Sequence, residues 1–189
     1  MVSQQNCEQL MRVSIDSLNA RNDGVHNNAS IIQGAIDSVH AAGGGQVVIP
    51  SGGIYLSGSI QLKENVDLHL ESGAVLRASS DYADYTDNHN IKNLTNGAVD
   101  EFVLPQRAFI AAYKAHGARI SGHGTIDGNA DGFIAERGRY IHKMRGPVGG
   151  KDQYLERPFA VFMIECNNLT IRDVTIVDPA FWALRTTGC

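Results

Sequence analysis

Seven histidines, His26, His40, His69, His89, His116, His123 and His142, are scattered through this 189-residue chain with no pair at metal-ligand spacing. Three cysteines, Cys7, Cys166 and Cys189, are too few and too odd in number for a disulfide framework, and they read as thiols. No adjacent Asp-Asp pair occurs, and there is neither a nucleophile elbow nor a phosphate loop. Asp127 and Asp131 offer oxygens to calcium, but a Gly-rich turn after a strand is the simpler reason for Thr125-Ile126-Asp127-Gly128. No metal, no cofactor and no catalytic residue is therefore assigned. The densest signal is basic: Arg137, Arg139, His142, Lys143, Arg145 and Lys151 follow one another without an intervening acid. Such a run suits an acidic ligand such as a uronate polymer. Acids flank it at Asp131, Glu136, Asp152 and Glu156, and a solvated loop with incidental charge is the alternative.

Composition bounds what those residues serve. With 43% hydrophobic and 19% charged residues, the chain is long enough for one domain (1–189) with a real core. A net charge of -4 without any basic stripe argues against nucleic acid as partner. The N-terminus has no basic region followed by an apolar run, and no segment approaches the ~18 apolar residues of a membrane helix. Membranes are not expected as partners, and the chain is either intracellular or has lost a signal.

The elements that must position these side chains are short. Residues 43–76 begin with three glycines and continue through β-rich segments at 46–49, 54–56, 60–62, 66–70 and 75–76. Breaks of two to four residues built on Gly, Ser, Pro or Asn separate them. A chain that turns every few residues while keeping alternate apolar side chains inward has the rhythm of a parallel β-helix. Before it, a strand near 11–15 leads to the turn Asn22-Asp23-Gly24. From Asn27 or Asn28 as N-cap, Ile31, Ile32, Ala35, Ile36 and Val39 fall on one helical face, and Gly43 to Gly45 stop the helix. A helix laid over the open end of a β-helix would cover its apolar core, so residues 1–45 are expected to be a strand and a capping helix and 46–189 the coils.

Two further units superpose on the first: strands at 109–113, 118–120 and 125–126, and strands at 160–164, 169–171 and 174–176. Asn65, Gly117 and Asn168 stand at the same corner, where a left-handed backbone is needed. Another coil opens at Phe181-Trp182-Ala183-Leu184, which puts Cys166 and Cys189 on neighbouring rungs about 4.8 Å apart. Long stretches at 79–106 and 128–157 interrupt the coils and are expected to wall a groove on one side.

These segments, in this order, resemble the polygalacturonase-type glycoside hydrolases: Asn22-Asp23-Gly24, the helix running through Gly43-Gly44-Gly45 into residues 46–76, Ile120 to Gly128 (ISGHGTIDG), Arg157-Pro158, and Cys166 to Cys189. The resemblance implies an all-β, right-handed, single-stranded parallel β-helix, incomplete at its C-terminal end. It implies hydrolysis of α-glycosidic bonds in pectic galacturonan by an inverting pair of carboxylates about 6.5–9.5 Å apart. The family's catalytic carboxylates sit on coils beyond Cys189, so this chain is expected to be the N-terminal part of such an enzyme and inactive alone. Gly122-His123-Gly124 spells the family's histidine motif, yet Thr125-Ile126-Asp127-Gly128 follows at once and marks an earlier structural turn. Relatives often carry His at Arg185; an arginine there, after Trp182, would meet a substrate carboxylate. Arg185, Trp182, Arg145 and Lys143 are the candidate cleft residues, and an acidic plant polysaccharide or oligogalacturonide is the candidate partner. An uncapped last coil predicts self-association. A non-catalytic β-helical carbohydrate-binding or assembly module is the alternative.

Overall fold

The computed structural model describes residues 10–86, 107–133 and 157–189. Strand β1 (Met11–Ser14) and a 3-10 turn (Ile15–Leu18) precede helix α1 (Ala29–Ala41). The strands β2 (Gly45–Ile49), β3 (Gly53–Ser57), β4 (Ile60–Leu62), β5 (Val66–Leu70), β6 (Ala74–Ala78), β7 (Ala108–Tyr113), β8 (Arg119–Gly122) and β9 (Thr125–Asp127) follow. The last are β10 (Phe159–Ile164), β11 (Thr170–Ile171), β12 (Thr175–Val177) and β13 (Leu184–Thr187). All pair in parallel, in three sheets ordered β1-β2-β5-β8-β11, β3-β6-β9-β12 and β4-β7-β10-β13. From β2 onward the chain visits the three sheets in rotation, so each circuit lays one strand on each sheet. That is the coil expected from the short strands and breaks.

Because side chains alternate along a strand, each circuit adds one inward residue above its predecessor. Val47, Leu68, Ile120 and Ile171 form one such column, Tyr55, Leu76, Ile126 and Ile176 a second, and Ile60, Ile110, Val161 and Leu184 a third. The columns are buried through the middle circuits and open at the last, where Leu184 is 46% exposed. Each fully buried aliphatic side chain stabilises the stack by about 1.5–3 kcal/mol.

The corner residues behave as their chemistry demands. Asn65, Gly117 and Asn168 have φ of 59°, 70° and 56°, each turning the chain from the third sheet into the first. Helix α1 buries Ile32, Ala35, Ile36 and Val39 against β1, β2, β4 and β5. Its N-terminal asparagines divide the labour. Asn27 Oδ1 accepts from the amides of Ala29 and Gly58, both at 3.0 Å. Asn28 gives no cap; its fully buried amide ties the segment before the helix to β3. In the coil that opens at Phe181, strand β13 occupies Leu184–Thr187.

Candidate functional site

In the sheet β4-β7-β10-β13 the two middle strands are apolar on both faces. Strands β7 and β10 read AFIAAY and FAVFMI, and almost every residue of both is buried. Inward, Ile110, Ala112, Val161 and Met163 join the main core. Outward, Ala108, Ala111, Phe159, Phe162 and Ile164 form a second cluster, with Tyr113 and Phe181 packed against it. Gln61, Ala111, Phe162 and Arg185 stand in register on successive strands, so the outer column climbs from an amide across a phenyl ring to a guanidinium.

Arg185 sits among three rings. Its Cζ lies 4.8 Å from the centroid of Trp182, 5.4 Å from Phe162 and 5.8 Å from Phe159. Phe181 and Trp182 stack at 5.4 Å with an 8° interplanar angle, and Phe159 meets both edge-on at 5.2 and 5.9 Å. The guanidinium's polar contacts are poor by comparison: Nε reaches Thr187 Oγ1 at 3.5 Å, and the buried Nη1 has no hydrogen-bond partner among the described residues. Burial holds its pKa below the ordinary arginine value. Ring faces offset part of the desolvation through cation–π attraction, about 0.5–2 kcal/mol. An unmatched, partly desolvated cation is the group a carboxylate would satisfy. Trp182 is 46% exposed, with Phe181 stacked on its ring and the Arg185 guanidinium over it.

Lys143 and Arg145, with the rest of the basic run from Arg137 to Lys151, lie outside the described residues. Both long stretches leave the coil at the same corner, one from β6 to β7 and one from β9 to β10, on the border of this aromatic sheet. Their roots touch: Tyr85 stacks on Tyr82 and meets Phe133 edge-on, both at 6.1 Å. Arg107, just before β7, covers the Tyr82 ring at 4.2 Å and donates to its carbonyl at 2.6 Å.

Other reactive-looking groups are committed elsewhere. On the first sheet the Ser121 hydroxyl donates to the Asp67 carboxylate at 2.8 Å and faces His69 Nδ1 at 2.9 Å, while Gln46 donates to the same carboxylate at 2.9 Å. The serine is buried and its proton goes to the aspartate, so the histidine meets only the hydroxyl oxygen and this trio is a polar knot without a nucleophile's geometry. Asp127 is held by Arg77 at 2.7 Å and accepts from the Asn129 amide at 2.8 Å, which fills a carboxylate that calcium would need. His123 is exposed at a bulged turn where its own amide and that of Gly124 share the Leu70 carbonyl, at 3.0 and 3.1 Å. Among the described residues no three His, Cys, Asp or Glu side chains converge on a point that could hold a cation.

A polygalacturonase from Ralstonia nicotianae is 32% identical over 187 residues, covering 93% of this chain and 34% of that protein. An exo-poly-alpha-D-galacturonosidase from Dickeya chrysanthemi is 31% identical over 121 residues, 62% of this chain and 19% of that protein. The chain is polygalacturonase-like. The family 28 exopolygalacturonase of Yersinia enterocolitica superposes with a TM-score of 0.73 at 22% identity, covering 95% of this chain and 38% of that one, and so shares the fold. No family model matches the chain. The chain spans from about a fifth to a third of the length of these curated relatives.

Of the four candidate cleft residues, the fold brings Arg185 and Trp182 together, while Lys143 and Arg145 lie outside the described residues. Phe159 and Phe162, which pack beside Arg185, are not among the residues expected from the sequence. The signal was available: six consecutive apolar residues, FAVFMI, cannot all face one core from a single strand and imply a sheet buried on both sides.

Proposed function

We propose that this chain forms the first coils of a glycosidase acting on galacturonan-type acidic polysaccharide, with the outer face of β4-β7-β10-β13 as the floor of its substrate cleft. The observation that carries the reading is Arg185: its buried Nη1 lacks a partner among the described residues and rests on Trp182, Phe159 and Phe162. A uronate carboxylate would pair with the accessible part of the half-buried guanidinium and the exposed edge of Trp182 would pack against the sugar, with Lys143 and Arg145 adding positive charge along the cleft. The names of the relatives agree with an acidic galacturonan as ligand.

Hydrolysis would follow the inverting scheme, one carboxyl group protonating the leaving oxygen and the other activating water from the opposite face, about 6.5–9.5 Å away. Neither β4, β7, β10 nor β13 contains an Asp or Glu, which agrees with a pair supplied by further coils of such an enzyme and with a chain that is inactive alone. Helix α1 would cover the N-terminal end of the stack. The absence of Asp and Glu from these four strands also suits a second reading, a non-catalytic carbohydrate-binding or assembly module.

Trp182 is the chain's one tryptophan, so its fluorescence reports directly on the floor. Oligogalacturonate is expected to shift that emission, and Arg185→Leu to weaken binding 10- to 100-fold, about 1.4–3 kcal/mol for a charge-assisted pair. Binding unchanged in Arg185→Leu, or equal binding of the methyl-esterified oligomer, would overturn the assignment. Reducing ends released from polygalacturonate by the purified chain would overturn the placement of the acid and base outside it.

A further inference from the structure

Ile164 on β10 pairs with Thr187 on β13, and two residues further along each path stands a cysteine. The intervening residues turn the same corner, Glu165 with φ 50° and Gly188 with φ 66°, and the Glu165 amide donates to the Thr187 carbonyl at 2.8 Å. Cys166 and Cys189 therefore stand at equivalent positions just past the ends of two paired strands. Paired strands run about 4.8 Å apart, a spacing within the Cα span that disulfides bridge, about 4.4–6.8 Å. Both are thiols here. Cys189 Sγ is folded back over the preceding rung, 3.4 Å from the Cys166 amide nitrogen and 3.5 Å from the Met163 carbonyl.

We propose that Cys166 and Cys189 form a reversible disulfide that fastens β13 to β10. The two sulfurs differ in a way that orders the steps. Cys189 is exposed and Cys166 is buried, its Sγ 3.2 Å from the Ile164 carbonyl. Burial pushes the Cys166 thiol up, and the neighbouring Cys189 sulfur adds to the push. Cys189, as thiolate, attacks a small-molecule disulfide and expels one thiolate, leaving a mixed disulfide on its own sulfur. Cys166 then gives up its proton and attacks Cys189 Sγ, expelling the second thiolate. Two protein thiols are oxidised, one external disulfide is reduced to two thiols, and two protons pass to solvent or to the departing thiolates. The bond would close a loop containing Trp182 and Arg185, so any effect on ligand binding rests on the role proposed for Arg185. The bond itself does not.

The test uses the whole chain in a Cys7→Ser background, equilibrated with excess oxidised glutathione at about pH 8, where exposed thiols ionise appreciably. Denatured protein is then alkylated with iodoacetamide, weighed and peptide-mapped. The expected product takes up no alkyl group, is lighter by two hydrogens, and yields a linked peptide joining Cys166 to Cys189. Its thermal midpoint rises by about 5 °C relative to the reduced form and falls back on reduction. Cys189→Ser, a change at an exposed position, abolishes both effects. Two alkylatable thiols after oxidation, glutathione held on Cys189, or a dimer joined through Cys189 would each overturn the proposal.

Discussion

Replacing Asn28 by alanine should destabilise this chain far more than its size suggests. The side chain is fully buried and works entirely on backbone. Its Oδ1 accepts from the Arg21 amide at 2.8 Å, and Nδ2 faces the carbonyls of Arg21 at 2.9 Å, His26 at 2.9 Å and Leu56 at 3.1 Å. An amide has only two hydrogens, so those three carbonyls share two donors, and with the Oδ1 bond there are three effective hydrogen bonds. At about 1 kcal/mol each, Asn28→Ala should cost about 3 kcal/mol, a fall of ~6–12 °C in melting temperature for a chain of this size. Asn28→Asp preserves the volume but aims a second oxygen at three carbonyl oxygens, so it should be at least as damaging. Thermal and urea unfolding followed by far-ultraviolet circular dichroism would read both. A loss below about 1 kcal/mol for Asn28→Ala, or an Asn28→Asp variant as stable as the parent, would refute the view that this amide fastens the helix to the first coil.

Gly122→Ala tests the corner between β8 and β9. A Cβ there would lie 2.0 Å from the Leu70 carbonyl oxygen at φ +105°, so a loss of about 3 kcal/mol or more is expected. Gly52→Ala, at φ +96° with open space around it, should cost about 1 kcal/mol, and equal losses in denaturant midpoint would discredit the clash. Tyr85 gives a pH prediction. Burial pushes its phenol far above the ordinary tyrosine range, with the Asp84 charge adding to the shift, while the hydroxyl donates to the Ser79 carbonyl at 2.7 Å. The folded state therefore keeps a proton that the unfolded chain releases at about pH 10. The stabilising contribution is whole below that pH and is lost as pH rises beyond it. Tyr85→Phe should flatten the alkaline fall in denaturant midpoint between about pH 9 and 11, and an unchanged slope would refute the assignment.

Much of the coil was legible because local rules and global geometry coincide. At Asn65, Gly117 and Asn168 one backbone requirement selects from a small set of residue types, so the corner can be read from a single sequence. Strand β4 (Ile60–Leu62) and strand β5 (Val66–Leu70) match their expected limits because polar breaks bound them tightly. The helix was legible from its apolar face, but the division of labour between Asn27 and Asn28 was not, since the partners of Asn28 include Leu56, 28 residues away. The candidate site was half legible for the same reason. Arg185 and Trp182 lie close in sequence, whereas Phe159 and Phe162 reach them only through the pairing of β10 with β13, a contact that no local pattern specifies. Asp127 and Asp131 look alike as letters, and only the register that places Arg77 opposite Asp127 tells what the first of them does.

The rotation of the chain through three sheets makes the fold editable in some places and frozen in others. One residue inserted after Asn65 would exchange the two faces of β5, turning Asp67 and His69 toward the interior and Leu68 toward water, so point insertions there are lethal to the stack. Removal of a whole circuit, by contrast, leaves every remaining strand facing as before. Between β6 and β7, and again between β9 and β10, the chain already accommodates long excursions without disturbing the pairing on either side. Natural variation in length should therefore collect at that one corner, beside the aromatic floor, where new residues can alter what is recognised while the coils beneath keep their register.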